Sequence, residues 1–465
     1  MKKEPSFLPP PHYTGLRLRN FRGFRNAREI PLAPLTFLVG PNSSGKSSLF
    51  DALLLATQSG FAPGHPEAAK PSWGGPLVDL GSYKDAVFGH NTRLPIEIAL
   101  DVKIPLDYLG WRAASRQKVK QWGFRIDITL RTSTDDPVGR LVSLTMTDLL
   151  SHEKLELHYG RGKIMMKFLG SKRELSRGEI RSRGHIRYLI SSEAQAVIRS
   201  KGPALSGRKN ASQRLVKLLE SDSLWWLMIQ SQRVSSGRAA PKRWYPVTDI
   251  HFDPRWGYVR PTVLDAVDPT MLDEAPRDDV SLYVGRARRP YLGPSLVSVL
   301  KQLEIATAIH ASKLSPYHTA IQVRDSVTGI TSNIIDVGYG LSQAIPILHA
   351  CLGPVVGPLF VEQPEIHLHP RAQGVVAEVL CNTSKNRQVV VETHSVHMIN
   401  RARILVARRE LPAGHVLVNY VSRSRTGSRV QSIPILQNGD FGAEWPEGFF
   451  DERYEDTLRL LQLKP

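Results

Sequence analysis

The sequence predicts an α/β fold on a mixed central sheet, with an antiparallel β lobe and an inserted, mainly helical basic region. Three stretches carry that expectation. Residues 35–50, LTFLVGPNSSGKSSLF, read as a buried strand from Leu35 to Val39, a glycine-bounded loop and a helix opening at Lys46. From 96 to 168 apolar and polar residues alternate with period two, the pattern of half-buried strands. Beyond about residue 338, short apolar strands alternate with helices of apolar face (LSQAIPILHACL, PLFVE, RAQGVVAEVLCNT, QVVVE, SVHMINRARIL).

The loop Gly40, Pro41, Asn42, Ser43, Ser44, Gly45, Lys46, Ser47 fits G-x-x-x-x-G-K-[ST] at every fixed position. Gly40 and Gly45 let the backbone curl where a side chain would clash. Amides of the loop and of the first helical turn, Ser48 included, then point at an anion. Lys46 adds a mobile positive charge for the outer phosphates, and the Ser47 hydroxyl is the expected Mg²⁺ ligand. The apolar strand before the loop and the apolar helix LFDALLLA after it are the context such a loop requires.

In chain order, 1–14 is a proline-rich lead-in. GLRLRNFRGFRNAREIP (15–31) alternates apolar and basic residues as an edge strand would, turning at Arg22-Gly23. Residues 60–78 are Gly/Pro-rich and predict a loop. IEIALDVKI, FRIDITLR, LVSLTMTD and KLELHY-GRG-KIMMKF predict an antiparallel meander closing in a hairpin at 160–162, with a less regular interruption from Leu106 to Gln121. Residues 171–245 are Ser/Arg-rich and carry helical stretches; Trp225 and Trp226 are assigned to core there. PSLVSVLKQLEIATAIHASKL (294–314) reads as one long amphipathic helix, and TAIQVRDSVTGITSNIIDV as a hairpin turning at Thr328-Gly329. The domain expectation is an N-lobe at 15–170, a basic insertion at 171–290 and a C-lobe at 291–465, both lobes sharing one sheet.

Lys+Arg is 61 against Asp+Glu 43, a net charge of +18. The excess is local: residues 161–220 hold 15 basic and 4 acidic side chains. Concentrated positive charge is the footprint of a polyanion, here DNA or RNA. Cys351 and Cys381 lie in apolar stretches with no metal or disulfide spacing. No run reaches 18 apolar residues, and the N-terminus lacks an apolar signal core. The expectation is a cytoplasmic protein in a reducing compartment, with no membrane partner.

A P-loop needs a carboxylate at the end of a nearby strand to hold Mg²⁺. In VVGPLFVEQPEIHLHP, Glu362 ends an apolar strand and Pro364 stops it. The strand Gln388 to Val391 leads to Glu392-Thr-His394-Ser395, where His394 is placed to sense a γ-phosphate or order the attacking water.

These residues resemble the ABC-type ATPases of the RecF, SMC and OLD (overcoming lysogenization defect) group. NFRGFRNAREIPLAPLTFLVGPNSSGKSSLFDAL is similar to their opening strands and Walker A. LGSYKDAVFGH resembles the Q-loop region, DVGYGLSQAIPIL the signature motif, FVEQPEIHLHP Walker B with the D-loop, and ETHSVHMINR the switch histidine. WPEGFFDE (445–452) resembles a C-terminal tail of one subgroup. The likeness covers roughly 15–100 and 315–455. It implies a P-loop NTPase of ABC type in which two chains sandwich two ATPs. Gly340, Ser342 and Gln343 of one chain would face the triphosphate held by Gly40 to Ser47 of the other. Catalysis would involve Lys46, Glu362, Gln363 and His394, with Ser47 and Glu362 on Mg²⁺.

One position departs from the family pattern. Where a catalytic glutamate is expected, the chain has Gln363, which cannot accept a proton. Glu365 lies two residues on and could take over if the loop turns it back. His367 and His369 form an H-x-H pair assigned to the D-loop and dimer seam rather than to zinc. The implied function is an ATP-dependent dimeric clamp or switch on nucleic acid, slow in hydrolysis, in prokaryotic anti-phage defence or DNA repair. The 71 residues after His394 are too few for the Toprim nuclease of OLD proteins, so a nuclease or toxin effector would be a separate chain. The alternative is a non-hydrolysing scaffold that recruits or restrains a protein effector. The basic stretch and the lack of LSGGQ argue against a transporter subunit.

Overall fold

The computed structural model describes residues 11–59, 70–75, 77–105, 121–134, 136–160, 163–176, 186–201, 209–220, 231–238, 240–246, 252–253, 258–259, 281–284, 287–290, 296–315, 318–352 and 357–446. The chain opens with β1 (His12–Phe21) and β2 (Phe24–Pro31), which turn at Arg22-Gly23. The turn expected at Arg22-Gly23 is thus present, and the two halves of the stretch pair as a hairpin. β2 forms the sheet edge and β1 lies one place inside. The chain then leaves for β3 (Leu35–Val39), the P-loop and α1 (Lys46–Gln58). It passes α2 (Tyr83–Ala86) and returns as a meander: β4 (Ile96–Pro105), β5 (Gln121–Ser133), β6 (Asp136–Asp148), β7 (Lys154–Tyr159), β8 (Lys163–Phe168) and β9 (Ser171–Ser176). The eight-stranded order is β2-β1-β4-β5-β6-β7-β8-β9, antiparallel throughout.

The boundary expected at 170 falls inside this sheet, because β9 pairs with β8 along its length. Beyond it, α3 (Ile186–Lys201) and α4 (Lys209–Glu220) lie on the same sheet. Leu189, Ile190, Ala194, Leu215 and Leu219 share a core with Met166 and Phe168. Apolar residues three and four apart give both helices one face to bury. A buried ion pair pins α4: Arg214 Nε donates to Asp148 Oδ2, and the guanidinium stacks 5.2 Å from the Trp122 ring centroid. Asp148 is 1% exposed, so Arg214→Met would leave a buried carboxylate unpaired. The expected cost is about 3–5 kcal/mol, read as a lower urea midpoint with unchanged slope. Trp225, Trp226, Trp256, Arg181, Arg183 and Arg208 lie outside the described residues. Trp244 is 51% exposed, its ring edge-on to His318.

β10 (Gln232–Val234) is followed by the short strands β11 (Tyr245–Pro246), β12 (Phe252–Asp253), β13 (Tyr258–Val259), β14 (Ser281–Val284) and β15 (Ala287–Pro290). The helix expected over 294–314 is shorter. α5 spans Leu296–Gln302, Glu304 takes a left-handed φ of 57°, and Ala306–Ser315 is β16. Pairing with β17 (His318–Asp325) satisfies the ladder of ATAIHASKLS, and the β-branched Thr307 and Ile309 suit a strand. The hairpin expected at Thr328-Gly329 is present: β18 (Thr331–Asn333) returns against β17.

The remaining elements follow the expected alternation: α6 (Tyr339–Leu352), β19 (Leu359–Glu362), α7 (Pro370–Thr383), β20 (Val389–Glu392), α8 (Val396–Ala407), β21 (Val416–Ser424) and β22 (Gly427–Pro434). They complete a second sheet, β10-β19-β20-β3-β21-β22, parallel except for the last pair. Both lobes thus share a sheet, and β10, from the expected insertion, is its edge. The three central strands are apolar on both faces, as buried parallel strands are. Leu35, Phe37, Val39, Leu359, Val361, Val389 and Val391 face one core with α6, α7 and α8. Leu38, Phe360 and Val390 face the other, shared with α1 and the antiparallel sheet. Phe50 of α1 meets Phe360 edge-on, centroids 5.6 Å apart. Cys351 and Cys381 are buried, and burial pushes their thiols up to about 11 and about 12.

Candidate functional site

Parallel strands end together at one edge of the sheet, and the crevice beyond their carboxyl ends is where such folds place ligands. β3 supplies the glycine loop there. Gly40 has φ 137°, and a Cβ on it would lie 2.1 Å from the Val421 carbonyl oxygen. Gly45 has φ 108° and caps α1 without a side chain, so no side-chain cap occupies the first-turn amides. Ser428 Oγ, at the start of β22, donates 2.6 Å to the Ser44 carbonyl and braces the loop from behind.

Lys46 is almost wholly enclosed. Its Nζ donates to the carbonyls of Gly40 (3.0 Å) and Pro41 (2.8 Å). Burial pulls its pKa below the usual lysine value, opposed by Glu392 and Glu365. Ser47 Oγ donates 2.9 Å to Glu392 Oε2. Burial raises the Glu392 carboxyl above its ordinary range, while Ser47 and Lys46 act in the other direction. Sequence reasoning named Glu392 only as part of a motif. The signal was there: VVVE repeats the apolar-strand-then-acid pattern of LFVE.

Glu362 ends β19 in register with Glu392, which itself lies in register with Leu38 of β3. Its partners come from β10 and the turn after it. Arg233 gives Nε (2.8 Å) and Nη2 (2.5 Å) to Oε1, and Ser236 gives N (3.1 Å) and Oγ (3.2 Å) to Oε2. Arg233 Nη1 also donates to the Leu77 carbonyl, so the guanidinium bridges two segments. Arg238 donates to the backbone oxygens of Glu362 (3.0 Å) and Gln363 (3.1 Å). None of these arginines was singled out from sequence, because three β10 residues give no periodic signal. Asp51 on α1 takes Arg22 Nη1 at 2.5 Å, and burial raises its carboxyl to about 6 against the opposing charges of Arg22 and Arg233.

Gln363 has φ 41° and its amide N donates 2.7 Å to the Glu392 carbonyl. Glu365 does turn back. Its Oε1 accepts from the His394 backbone N (2.6 Å) and its Oε2 from Thr393 Oγ1 (2.8 Å). That carboxylate therefore fixes the strand end that carries His394. Burial raises the Glu365 carboxyl, with those hydrogen bonds opposing. Burial, and then Lys46, lower the His394 pKa below the usual histidine value, which favours the neutral ring.

Gly340, Ser342 and Gln343 sit in the first turn of α6. The start of that turn lies against the loop after β19: a Cβ at Gly340 would lie 2.5 Å from the His367 carbonyl, and the Tyr339 ring is edge-on to His367. Ser342 is buried, and its Oγ donates 2.7 Å to the Tyr339 carbonyl. His369 caps α7, its Nδ1 accepting from the Arg371 N at 3.3 Å. The structure thus gathers Lys46, Ser47, Glu362, Glu365, Glu392 and His394 at one place and sets the signature segment on the His367 loop.

Two atoms test whether this place fits a nucleotide. Ser44 Oγ and His394 Nε2 are buried and have no hydrogen-bond partner among the described residues. Buried polar atoms are normally satisfied, and phosphate oxygens are groups that would supply the missing partners. No group of three or more metal-ligating side chains occurs among the described residues.

Residues 15–147 match the family "AAA domain", and residues 223–400 match "AAA domain, putative AbiEii toxin, Type IV TA system". Residues 411–460 match "Protein of unknown function (DUF3696)", a span that includes the WPEGFFDE stretch. An OLD nuclease of Thermus scotoductus is 28% identical over 179 residues, 35% of this chain and 34% of the relative. The chain thus spans about a third of that relative's length. The Smc head domain of Pyrococcus furiosus, solved with an extended coiled coil and the C-terminal domain of ScpA, aligns over 97% of this chain and 100% of its own. It does so at 12% identity and a TM-score of 0.40. The SMC head domain of Thermotoga maritima aligns over 90% and 98%, at 11% identity and a TM-score of 0.34. Both likenesses are too loose to assign a fold by themselves. The two AAA matches hold the P-loop in one segment and Glu362 and His394 in the other. They support AAA-type ATPase domains in this chain, which is similar over part of its length to an OLD nuclease.

Proposed function

We propose that the chain binds ATP with Mg²⁺ and works as an ATP-dependent dimeric clamp or switch on nucleic acid, in anti-phage defence or DNA repair in the prokaryotic cytoplasm. The observation that carries this reading is the cluster at the carboxyl ends of β3, β19 and β20. Lys46, Ser47 with Glu392, and His394 converge there, and Ser44 of the loop and His394 each carry a buried polar atom with no partner among the described residues. Magnesium would supply charge neutralisation for the transferring phosphoryl group. The chain's own part is to hold the phosphates on the loop amides and Lys46, and to set His394 through Glu365. The signature turn of a second copy would close the site in trans at Gly340 and the backbone beside it, since Ser342 and Gln343 are buried within their own chain. No described helix is long and apolar enough to cross a membrane. The scaffold reading stays as the second hypothesis because of Gln363, an amide where a general base is expected.

The nucleic-acid part rests on the basic stretch. Arg199 and Lys201 end α3, and Lys217 lies on α4. Neutralising Arg181, Arg183, Arg187, Lys201, Arg208 and Lys209 together should weaken duplex DNA binding. It should also flatten the salt dependence by roughly 0.9 in log–log slope for each phosphate that is no longer neutralised. Unchanged affinity and slope would make the stretch a solvated or protein-facing surface. ATP turnover with and without DNA or RNA separates the readings: stimulated turnover fits the clamp, and tight binding without turnover fits the scaffold.

A further inference from the structure

We propose that the run from β10 to β11, Gln232 to Pro246, positions the signature turn of its own chain from the acid end of β19. In a dimer, nucleotide held by one chain would then adjust the turn with which that chain closes its partner's site. This rests on the nucleotide-site and dimer reading above, and it gives a role to arginines that sequence reasoning left without one. Residue 239 lies outside the described residues. The two ends of the run belong to different sheets. β10 pairs in parallel with β19, Val234 beside Val361. β11 pairs with β17, Tyr245 beside Thr319, in a small antiparallel sheet that also holds β16 and β18. β18 of that sheet is the strand that leads on to α6.

Arginines fix the run at both ends. Near β19, Arg233 donates twice to Glu362 Oε1 and Ser236 twice to Oε2. A carboxylate has about four acceptor positions, so Glu362 is fully engaged. Any metal-bound water that it takes up has to replace one of these partners, and both partners belong to the run. Arg238 is buried and holds the backbone oxygens of Ser235, Glu362 and Gln363, so a shift of the strand end is carried into the run. At the far end Arg243 meets Asp336 through two parallel bonds, Nη1 to Oδ2 at 3.1 Å and Nη2 to Oδ1 at 2.8 Å. Such a fork fixes direction as well as distance. Both side chains are exposed, where ion pairs add little stability, so this pair serves geometry more than folding. Asn333 Nδ2 donates 2.8 Å to the Arg243 carbonyl, and its Oδ1 caps the single turn Ile334–Asp336 by accepting from Ile335 N. Val337 and Gly338 alone separate that turn from α6. The loop after β19 reaches the signature turn from the other side, at Tyr339 and Gly340. Residues 331–336 are therefore the part that reports on the run.

The test is hydrogen–deuterium exchange of the full chain, with and without Mg²⁺ and a slowly hydrolysed ATP analogue, diluted until sedimentation shows monomer. No partner's nucleotide then touches the signature turn. Mg²⁺ with ADP replaces the analogue if the dimer persists at every dilution. In the natural chain nucleotide should change exchange at residues 40–48 and 360–365. It should also change exchange at 331–336 by about fivefold or more, the low end of coupling between linked sites. Arg243→Ala and Asp336→Ala should each keep the change at 40–48 and lose the one at 331–336, whatever their exchange there without nucleotide. The charge-swapped double variant, Arg243→Asp with Asp336→Arg, should regain it. No change at 331–336 in the natural chain, a change kept in either single variant, or a swap that binds nucleotide without regaining the change would overturn the coupling. Loss of nucleotide binding in both single variants would overturn it too, since the pair would then be holding the nucleotide site itself. A natural chain with no change at 40–48 overturns the nucleotide-site reading instead.

Discussion

Lys46→Ala should lower ATP affinity by about 100-fold or more while leaving the fold in place. The variant removes a cation that reaches phosphate oxygens from inside the loop, and hydrogen bonds to charged groups contribute about 1.5–3 kcal/mol each. The Lys46 ammonium is enclosed with two loop carbonyls as its neighbours. Its removal costs the apolar cores nothing, because Leu49, Phe50 and Leu53 of α1 do the packing. The checks are equilibrium titration with a fluorescent nucleotide and a thermal melt. A folded Lys46→Ala chain with parental affinity would contradict the reading of residues 40–48 as a phosphate cradle.

Gln363→Glu should raise ATP turnover by roughly 10²–10⁴-fold, the contribution of a positioned general base. The backbone at 363 is pinned on both sides, by the Glu392 carbonyl and by Arg238. The new carboxylate would therefore start where the amide starts. The nearest substitute base is Glu365, but both of its oxygens hold the Thr393–His394 strand end. Our account is that the natural chain hydrolyses ATP slowly and dwells in its ATP-bound form. Glu365→Gln is the control: it should disturb His394 rather than remove the base, so it lowers an already slow rate and does not block the gain from Gln363→Glu. Brisk turnover in the natural chain, lost in Glu365→Gln and not increased by Gln363→Glu, would show that the base has moved to Glu365.

The parts of the fold that were legible in the sequence are those whose pattern is local. LTFLV and the helix opening at Lys46 match β3 and α1 residue for residue, because a buried parallel strand is a bare apolar run and the loop motif fixes its end. The meander was legible because period two runs through most of the strands from β4 to β8; β6 breaks it between Leu141 and Leu144, at a bulge. The miss at 306–315 has a physical cause. Apolar residues in LEIATAIHASKL also fall at helical spacing, and the decision belonged to β17, a partner that no local pattern announces. The site divided in the same way. Lys46 and Ser47 open the helix that the loop motif announces, and Glu362 and His394 stand at or just past apolar strand ends flagged by composition. Arg233, Ser236 and Arg238 reach Glu362 from more than 120 residues away in sequence, through a three-residue strand. The pairing of Ser47 with Glu392 required knowing which strand lies beside β3.

The most direct measurement is sedimentation velocity of the natural chain with Mg²⁺ and ATP, with ADP, and without nucleotide, run beside Lys46→Ala. The account predicts a dimer with ATP, persisting because hydrolysis is slow, and a smaller species in the other three samples. One unchanged sedimentation coefficient across all four, with ATP binding demonstrated in the natural chain, would contradict the ATP-dependent dimer.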